Sequence, residues 1–467
     1  MPIIIEVSSI LKVTGLSNQA IEKYLSIGTK PNPAHKNWLI RGFGRVKKIA
    51  EIAQPEPSVT ISSVWEEDNK VFFYRGWLDK LIKEHPDATI IDNRSAPQIS
   101  QPFQFNKEIV LRDYQQEGIE RVKNDGGGLL IYPTGAGKTV TAIKLAAELN
   151  LKTLFLVNTD VLVEQVQAEA SRLLGQEIGL IKGPIANIRD FTVASVQTLV
   201  RNRVHLYKNS FGLVFQDECH LAAAETFQQV LSELNAKYVV GLSGTPDDRT
   251  DGLGWLLYHS IGPTRHKVSS SVLEKAGVIL KPIIKEVNCK AWYTKREWRP
   301  EDKIQHIKSL VKCKKRNEFL VDYIFNLVKS DHNVVVFTEL VDHAIDLHKM
   351  LETKYEEQFG SKLNSILYHG RLTTKERTVE FQRLRNNEST CTIATYQICG
   401  TGLDVKPWTD IVEATPITSP TMLKQSIGRI RRATLGKCRC VVHDIVDIND
   451  PLLVKKYKKR LEVYKSL

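Results

Sequence analysis

Lys138 and Thr139 close the run Leu129-Leu-Ile-Tyr-Pro-Thr-Gly-Ala-Gly-Lys-Thr139, where a short apolar stretch gives way to a glycine-containing turn. Consecutive backbone N–H groups and a helix N-terminus can face an anion at such a turn, and Gly135 and Gly137 leave room for its close approach. The chemistry this spacing supports is phosphate binding. Pro133, Thr134, Gly135, Ala136 and Gly137 form the cradle, Lys138 reaches the β/γ-phosphates, and the Thr139 hydroxyl helps to hold Mg²⁺. The strict G-x-x-x-x-G-K-[ST] pattern wants glycine at the position of Tyr132. An ordinary strand, turn and helix bearing a surface lysine is the plain alternative.

A second group follows the apolar run Phe211-Gly-Leu-Val-Phe215, which leads into Gln216-Asp-Glu-Cys-His220. Acids at the C-terminal end of a strand are where parallel sheets place their chemistry. Asp217 would hold Mg²⁺ through its water shell, and Glu218 would orient and deprotonate an attacking water. Exposed acids after a strand are common, and the phosphate loop one domain-length upstream is what gives these two weight. The third group is Gln425-Ser-Ile-Gly-Arg-Ile-Arg-Arg432, expected on a helix, where Gln425, Arg429 and Arg432 stand at i, i+4 and i+7 and share a face. It reads either as a basic surface helix or as an arginine finger supplied across a cleft.

The elements that must position these groups alternate. Leu129 to Tyr132 reads as a buried strand and Val140 to Leu149 as the helix after it. Thr153 to Val157, Asp190 to Ala194 and Val239 to Pro246 add strands of a parallel α/β sheet. A second such rhythm starts at Asn333 and continues through Leu363 to Tyr368, Thr390 to Ala394 and Arg439 to His443, without a phosphate loop of its own. The final helix carries Leu453, Tyr457, Leu461 and Tyr464 as an apolar stripe, with Lys455, Lys456, Lys458, Lys459 and Arg460 expected on a solvated face. Residues 1 to about 100 mix short helix and strand signals, including a capped helix from Ser17 to Leu25, and residues 86 to 107 read as a linker. Between Trp38 and Lys48, Trp38, Arg41 and Arg45 belong to an aromatic and basic mixture suited to nucleic acid; buried aromatics with solvated cations explain it equally well. The same choice, a strand-separating wedge or core packing, applies to Trp292 to Trp298.

At 467 residues the chain needs two or three domains, and 42% hydrophobic with 25% charged residues describes a globular protein. A formal charge of +12 suits a polyanionic partner. Seven cysteines without a C-x-x-C pair point to reduced thiols in a cytoplasmic compartment. No apolar run approaches the roughly 18 residues of a membrane span, and the N-terminus lacks the basic start of a signal peptide.

Residues 108 to 447 resemble a superfamily 2 helicase. Leu111-Arg-Asp-Tyr-Gln115 looks like the adenine-reading Q motif, with Arg112 and Gln115 on the nucleotide. Pro133 to Thr139 matches motif I, which in that family does not require the first glycine. Asp217-Glu-Cys-His220 is a DEAH-like motif II, and Ser243-Gly-Thr245 stands where the family usually has Ser-Ala-Thr. Ala394 to Asp404 resembles motif V, adding Gly402 and Asp404 to the nucleotide contacts, and Gln425 to Arg432 resembles motif VI. Arg249-Thr-Asp-Gly252 with Ile261-Gly-Pro263 is similar to the XPB-like and phage UvsW-like branch.

The resemblance implies an α/β fold of two tandem RecA-like parallel-sheet domains forming a helicase core, at 108–300 and 301–467, plus a small α+β N-terminal domain at 1–100. It also implies ATP and Mg²⁺ as cofactors, branched or forked DNA as partner, 3′-to-5′ movement and branch migration. Backbone contacts are expected from Thr159, Gln197, Thr198, Thr395 and Thr401, whose hydroxyl and amide groups suit phosphates and carry no sequence information. The expected protein is a monomer in the cytoplasm, that of the host cell if it is phage-encoded, and works with other recombination or replication proteins. A duplex translocase that remodels protein–DNA complexes shares every motif, and an ATP-gated junction-binding protein is the reading from a different class.

Overall fold

The computed structural model describes the chain apart from residues 1, 32–59, 202–203, 221–224, 247–252, 292–301, 387, 397–407, 418, 434–436 and 438. It divides into two compact units, Met1–Pro133 with Gly137–Val268 and Thr134–Ala136 with Ser269–Leu467.

In the first unit, β1 (Ile4–Val7), β2 (Ile10–Thr14), β5 (Val64–Glu67), β6 (Lys70–Tyr74) and β7 (Thr89–Asp92) form a sheet in the order β5-β6-β2-β1-β7, beside a small pair of β3 (Thr29–Pro31) and β4 (Thr60–Ser62). Alternation decides which side is buried: Ile5, Val7, Leu11, Val13, Val71 and Phe73 face a core completed by Tyr24, Trp77 and Leu81. The helix Asn18–Gly28 is capped as its sequence suggests, the Ser17 side chain accepting from the Ala20 N–H at 3.3 Å. The expected linker is corrected here, because Thr89–Asp92 is a strand running parallel to β1. Its four residues are all exposed, so it lacks the alternating pattern that marks a half-buried strand.

This small sheet packs on the larger body of the same unit. Arg75, buried, donates from Nη2 to the carbonyls of Ala236 (3.0 Å) and Lys237 (3.3 Å), and Trp77 lies 4.4 Å from His259 between ring centroids. Burial between these elements, helped by Lys30 and Lys80, lowers the His259 pKa to about 4.

The larger sheet contains β8 (Gly128–Ile131), β9 (Thr153–Val157), β10 (Gly179–Lys182), β11 (Ile185–Asn187), β12 (Phe191–Ser195), β13 (Leu213–Gln216), β14 (Tyr238–Ser243) and β15 (Thr264–Lys267), in the order β11-β10-β12-β9-β13-β14-β8-β15. Every pairing is parallel except β10 with β11. The central strands β8, β9, β12 and β13 are buried along their whole length, as their continuous apolar runs require when helices cover both faces.

The second unit has an all-parallel sheet of β16 (Ile283–Cys289), β17 (Val334–Thr338), β18 (Ser365–Tyr368), β19 (Cys391–Thr395), β20 (Asp410–Glu413) and β21 (Val441–Asp447), ordered β16-β21-β20-β17-β19-β18. β16 pairs with β21 along seven residues. This chain segment therefore belongs to the second sheet, upstream of the boundary expected near residue 300. The last helix, Pro451–Lys465, brings a second correction. Arg460 is not on a solvated face but 3% exposed, its Nε and Nη2 on the two Asp444 oxygens at 2.8 and 2.7 Å. Among the described residues no helix is long and apolar enough to cross a membrane.

Arg316 and Asp447, both fully buried, meet at 2.7 and 3.0 Å, and Arg316 also donates to Ala414 O at 2.9 Å. Removing one member of such a pair strands the other charge, whereas replacing both with apolar side chains does not. Arg316→Ala is expected to cost about 3–5 kcal/mol. Arg316→Met/Asp447→Leu should recover most of that loss in urea unfolding.

Candidate ATP site and nucleic-acid loops

Parallel strands end on one edge, and the three loops of interest follow β8, β13 and β14 side by side on it. The turn after β8 reverses through Gly135 at φ +90° and Gly137 at φ +82°, left-handed values that glycine adopts without strain. Gly137 is the N-cap of the helix Lys138–Leu149, so the helix starts at the phosphate lysine and its unpaired N–H groups open onto the loop. Lys138 Nζ donates to Tyr132 O at 3.3 Å and lies 3.8 Å from Glu218 Oε1. Thr139 and Asp217 are half-buried.

Glu218 has φ +46°, an uncommon backbone for a residue with a side chain, and its N–H donates to Asp217 Oδ1 at 3.0 Å. Its other oxygen is 3.3 Å from His220 Nδ1, which lies 3.3 Å from Ser243 Oγ; that hydroxyl in turn accepts from the Thr245 N–H at 3.1 Å. The three loops are thus joined by side chains before any substrate arrives. A lysine, two carboxylates, a hydroxyl and a helix N-terminus form a donor set that fits a polyphosphate with a hard divalent cation.

Gln115 is placed differently from a free base-reading amide. It is 2% exposed, its Nε2 donating to Thr141 Oγ1 (3.1 Å) and Gly137 O (3.4 Å) while Oε1 accepts from the Arg112 N–H (3.0 Å). It braces the back of the phosphate turn, and Arg112 beside it is exposed.

Tyr132 answers the missing glycine. Its ring is fully buried, and its hydroxyl donates to Tyr114 O at 3.0 Å with His266 Nδ1 also at 3.0 Å. A Cβ on Gly118 would lie 1.9 Å from that hydroxyl oxygen. The only signal of this in the sequence is a glycine inside a helical pattern, which indicates a packing demand without naming the partner.

In the second unit the helix carrying Gln425 and Arg429 is Pro420–Ile430, capped by Ser419, whose side chain accepts from the Met422 N–H at 3.3 Å. Arg432 is corrected: it lies beyond the helix end, in an isolated bridge with Ile279, so it does not share the helical face of the other two. Arg431 between them is buried, donating to Glu274 Oε1 at 2.5 Å and Leu280 O at 3.1 Å.

The nucleic-acid candidates separate by exposure. Gln197 is exposed after β12. Thr159 after β9 caps the helix Asp160–Leu174 by accepting from the Leu162 N–H at 3.4 Å. Thr198 is buried, with Ser195 donating to its hydroxyl at 2.8 Å, and Thr395 is buried with its hydroxyl unpartnered among the described residues; neither presents its hydroxyl at the surface as expected. Trp38, Arg41, Arg45, Thr401, Gly402, Asp404 and the Trp292 to Trp298 segment lie outside the described residues.

Two family models match the chain: the type III restriction enzyme res subunit over residues 108–248 and the helicase conserved C-terminal domain over residues 315–434. The chain belongs to the superfamily 2 helicases. A putative ATP-dependent RNA helicase, L396 of Acanthamoeba polyphaga mimivirus, is 28% identical over 75% of this chain and 66% of its own length. The ATP-dependent DNA helicase uvsW of Enterobacteria phage T4 is 24% identical over 80% of this chain and 76% of its own. The DNA 3′-5′ translocase XPB2 of Sulfurisphaera tokodaii is 32% identical over 38% of this chain and 40% of its own, so the chain spans under half the length of that relative.

Gly118→Ala should destabilise this helicase by about 1–3 kcal/mol, the usual cost of overpacking. Tyr132→Phe alone should cost about 1 kcal/mol through its lost hydrogen bond. In the double variant the nearest contacts to the new methyl become the Tyr132 ring carbon at 3.2 Å and His266 Nδ1 at 3.3 Å. The two changes should therefore cost less together than their sum, and a double-mutant cycle in urea measures the difference.

Proposed function

We propose that this superfamily 2 ATP-dependent helicase is a DNA motor that moves 3′-to-5′ on forks and four-way junctions and drives branch migration in recombination, repair or replication. The observation that carries this reading is the shared strand edge. The loops after β8, β13 and β14 hold the groups suited to ATP, and those after β9 and β12 carry Thr159 and Gln197 on the same edge of the same sheet. A change in how the phosphates are held is thereby transmitted to the nucleic-acid side through packed strands rather than through a flexible linker. The T4 relative, named a DNA helicase, supports DNA, and the XPB2 relative, named a 3′-5′ translocase, supports the polarity.

In this mechanism Lys138 and the helix N-terminus bind the β/γ-phosphates, displacing Lys138 from Glu218. Thr139 and Asp217 would hold Mg²⁺, which when bound neutralises phosphate charge. Glu218, oriented by His220, aligns and deprotonates the attacking water. Gln425, Arg429 and Arg432 act as the finger on the transferring phosphoryl group, and Pro133 to Gly137 with Gly402 and Asp404 complete the nucleotide contacts. ATP binding and release alternate the grip on the DNA backbone. The N-terminal domain at 1–100 is an accessory DNA-binding domain, and the two RecA-like domains follow, the second taking in β16 at Ile283–Cys289. The protein works as a monomer in the cytoplasm, alongside recombination or replication proteins.

Steady-state ATPase with single-stranded DNA, blunt duplex, fork, four-way junction and RNA offered separately tests the reading. Junction and fork should stimulate most. Lys138→Ala should abolish turnover, and Arg432→Ala should keep ATP binding while losing most turnover, by about 10³-fold or more if it is the finger. Equal stimulation by blunt duplex would favour a translocase that remodels protein–DNA complexes. Stimulation by RNA alone would remove the DNA assignment.

A further inference from the structure

Glu413 ends β20 and is 1% exposed. Its Oε2 contacts the Tyr396 hydroxyl, just past the end of β19, and its Oε1 lies 3.1 Å from Ser426 Oγ, on the helix that carries Gln425 and Arg429. The Tyr396 hydroxyl also lies 2.8 Å from Thr415 O, and the Ser426 hydroxyl 2.9 Å from Leu423 O. Each hydroxyl therefore has two acceptors and a single proton. An ionised Glu413 adds no proton to this network.

Among the described residues no cation is left to pair with it. The strand neighbour in register is Asp444, a second buried carboxylate, and Arg460 is already bidentate on Asp444, with Tyr464 donating to the same group at 2.7 Å. On the other side Arg316 is committed to Asp447 and Ala414 O, and His343 Nδ1 lies 3.3 Å from the Thr415 hydroxyl.

We propose that Glu413 is a neutral carboxylic acid that donates from Oε2 to Tyr396, freeing the Tyr396 proton for Thr415 O, while its Oε1 accepts from Ser426. So arranged, it is a positioning residue that fastens the Gln425 and Arg429 helix to the ends of β19 and β20. Burial, reinforced by Asp444 and opposed by the two hydroxyls and Arg460, raises the Glu413 pKa to about 7. The role in turnover rests on the reading that this helix serves ATP hydrolysis; the protonation state does not.

The sign follows from linkage. With a raised carboxyl pKa the folded chain keeps a proton that the unfolded chain releases, so stability is lost as pH rises from the ordinary carboxylate range to about 7. Glu413→Gln keeps a donating group and an accepting oxygen and cannot ionise. The melting temperature of wild type minus that of Glu413→Gln should therefore fall as pH goes from about 5 to about 8, and parallel curves overturn the proposal. The neutral fraction drops about tenfold from pH 6 to pH 8, so the wild-type to Glu413→Gln ratio of ATPase kcat should fall by about that factor. A variant inactive at every pH overturns the positioning role. If Glu413→Gln does not fold, Ser426→Ala severs only the link to the helix and should lower kcat with KM for ATP unchanged; unaltered kcat overturns the role. Arg429→Ala run alongside separates the two failures. Full ATPase in that variant sinks the reading of the helix, while the melting comparison still decides the Glu413 proton.

Discussion

A parallel sheet with crossover helices forces its strands to finish on the same edge, and the chemistry of this molecule depends on that constraint. In the first unit, residues far apart in sequence meet because β13 and β14 run beside each other and β14 runs beside β8. Lys138, Glu218 and Ser243 need no dedicated scaffold: each follows or ends a buried apolar strand, and the register fixes where it emerges. The link Lys138, Glu218, His220, Ser243 is then short because the strand ends are adjacent.

Two departures, one from the strict phosphate-loop pattern and one from the family's usual residues, occupy the same small region. Tyr132 stands where the strict phosphate-loop pattern has glycine, and Gly244 stands where the family usually has alanine. A Cβ at Gly244 would lie 3.1 Å from Tyr132 O, the carbonyl that holds Lys138, and 3.6 Å from Lys138 Nζ itself. The absent methyl leaves the lysine room in its resting position. Gly118 makes the matching allowance for the Tyr132 ring on the other side. The altered residues thus fit around the loop because the backbone next to it at Gly118 and Gly244 carries no side chain.

Strong local pattern made much of this readable. The strand Thr153–Val157 lies where its apolar run places it, and the glycines of the phosphate turn have the positive φ that their use at such a turn requires. What stayed hidden lacked a local cause. Thr89–Asp92 is exposed on every residue and is a strand only because β1 pairs with it. Arg432 fits a helical period of Gln425 and Arg429, but the helix stops at Ile430 and Arg432 bridges Ile279 instead. Gln115 was legible as a residue of the nucleotide region, while its hydrogen bonds to Thr141 and Gly137 depend on tertiary packing. Arg460 looked like one cation among several because its buried partner, Asp444, lies sixteen residues earlier, just past the expected end of its strand at His443.

The two sheets treat acids in opposite ways. The first leaves Asp217 and Glu218 half-buried at the C-terminal edge of its strands. The second buries Asp410, Glu413, Asp444 and Asp447 among its strands. Burial alone would push Asp410 up, yet hydrogen bonds from His443 and Thr409, with Arg439, bring it below the ordinary carboxylate value. Asp444 has Arg460, and Asp447 has Arg316. Each of these pairs ties a strand to a particular partner and would leave a stranded charge in any other register. Glu413 has two hydroxyls in place of a cation. A buried acid with only hydroxyl partners avoids that penalty by keeping its proton, which makes it the one member of the group whose charge can change near neutral pH without breaking an ion pair.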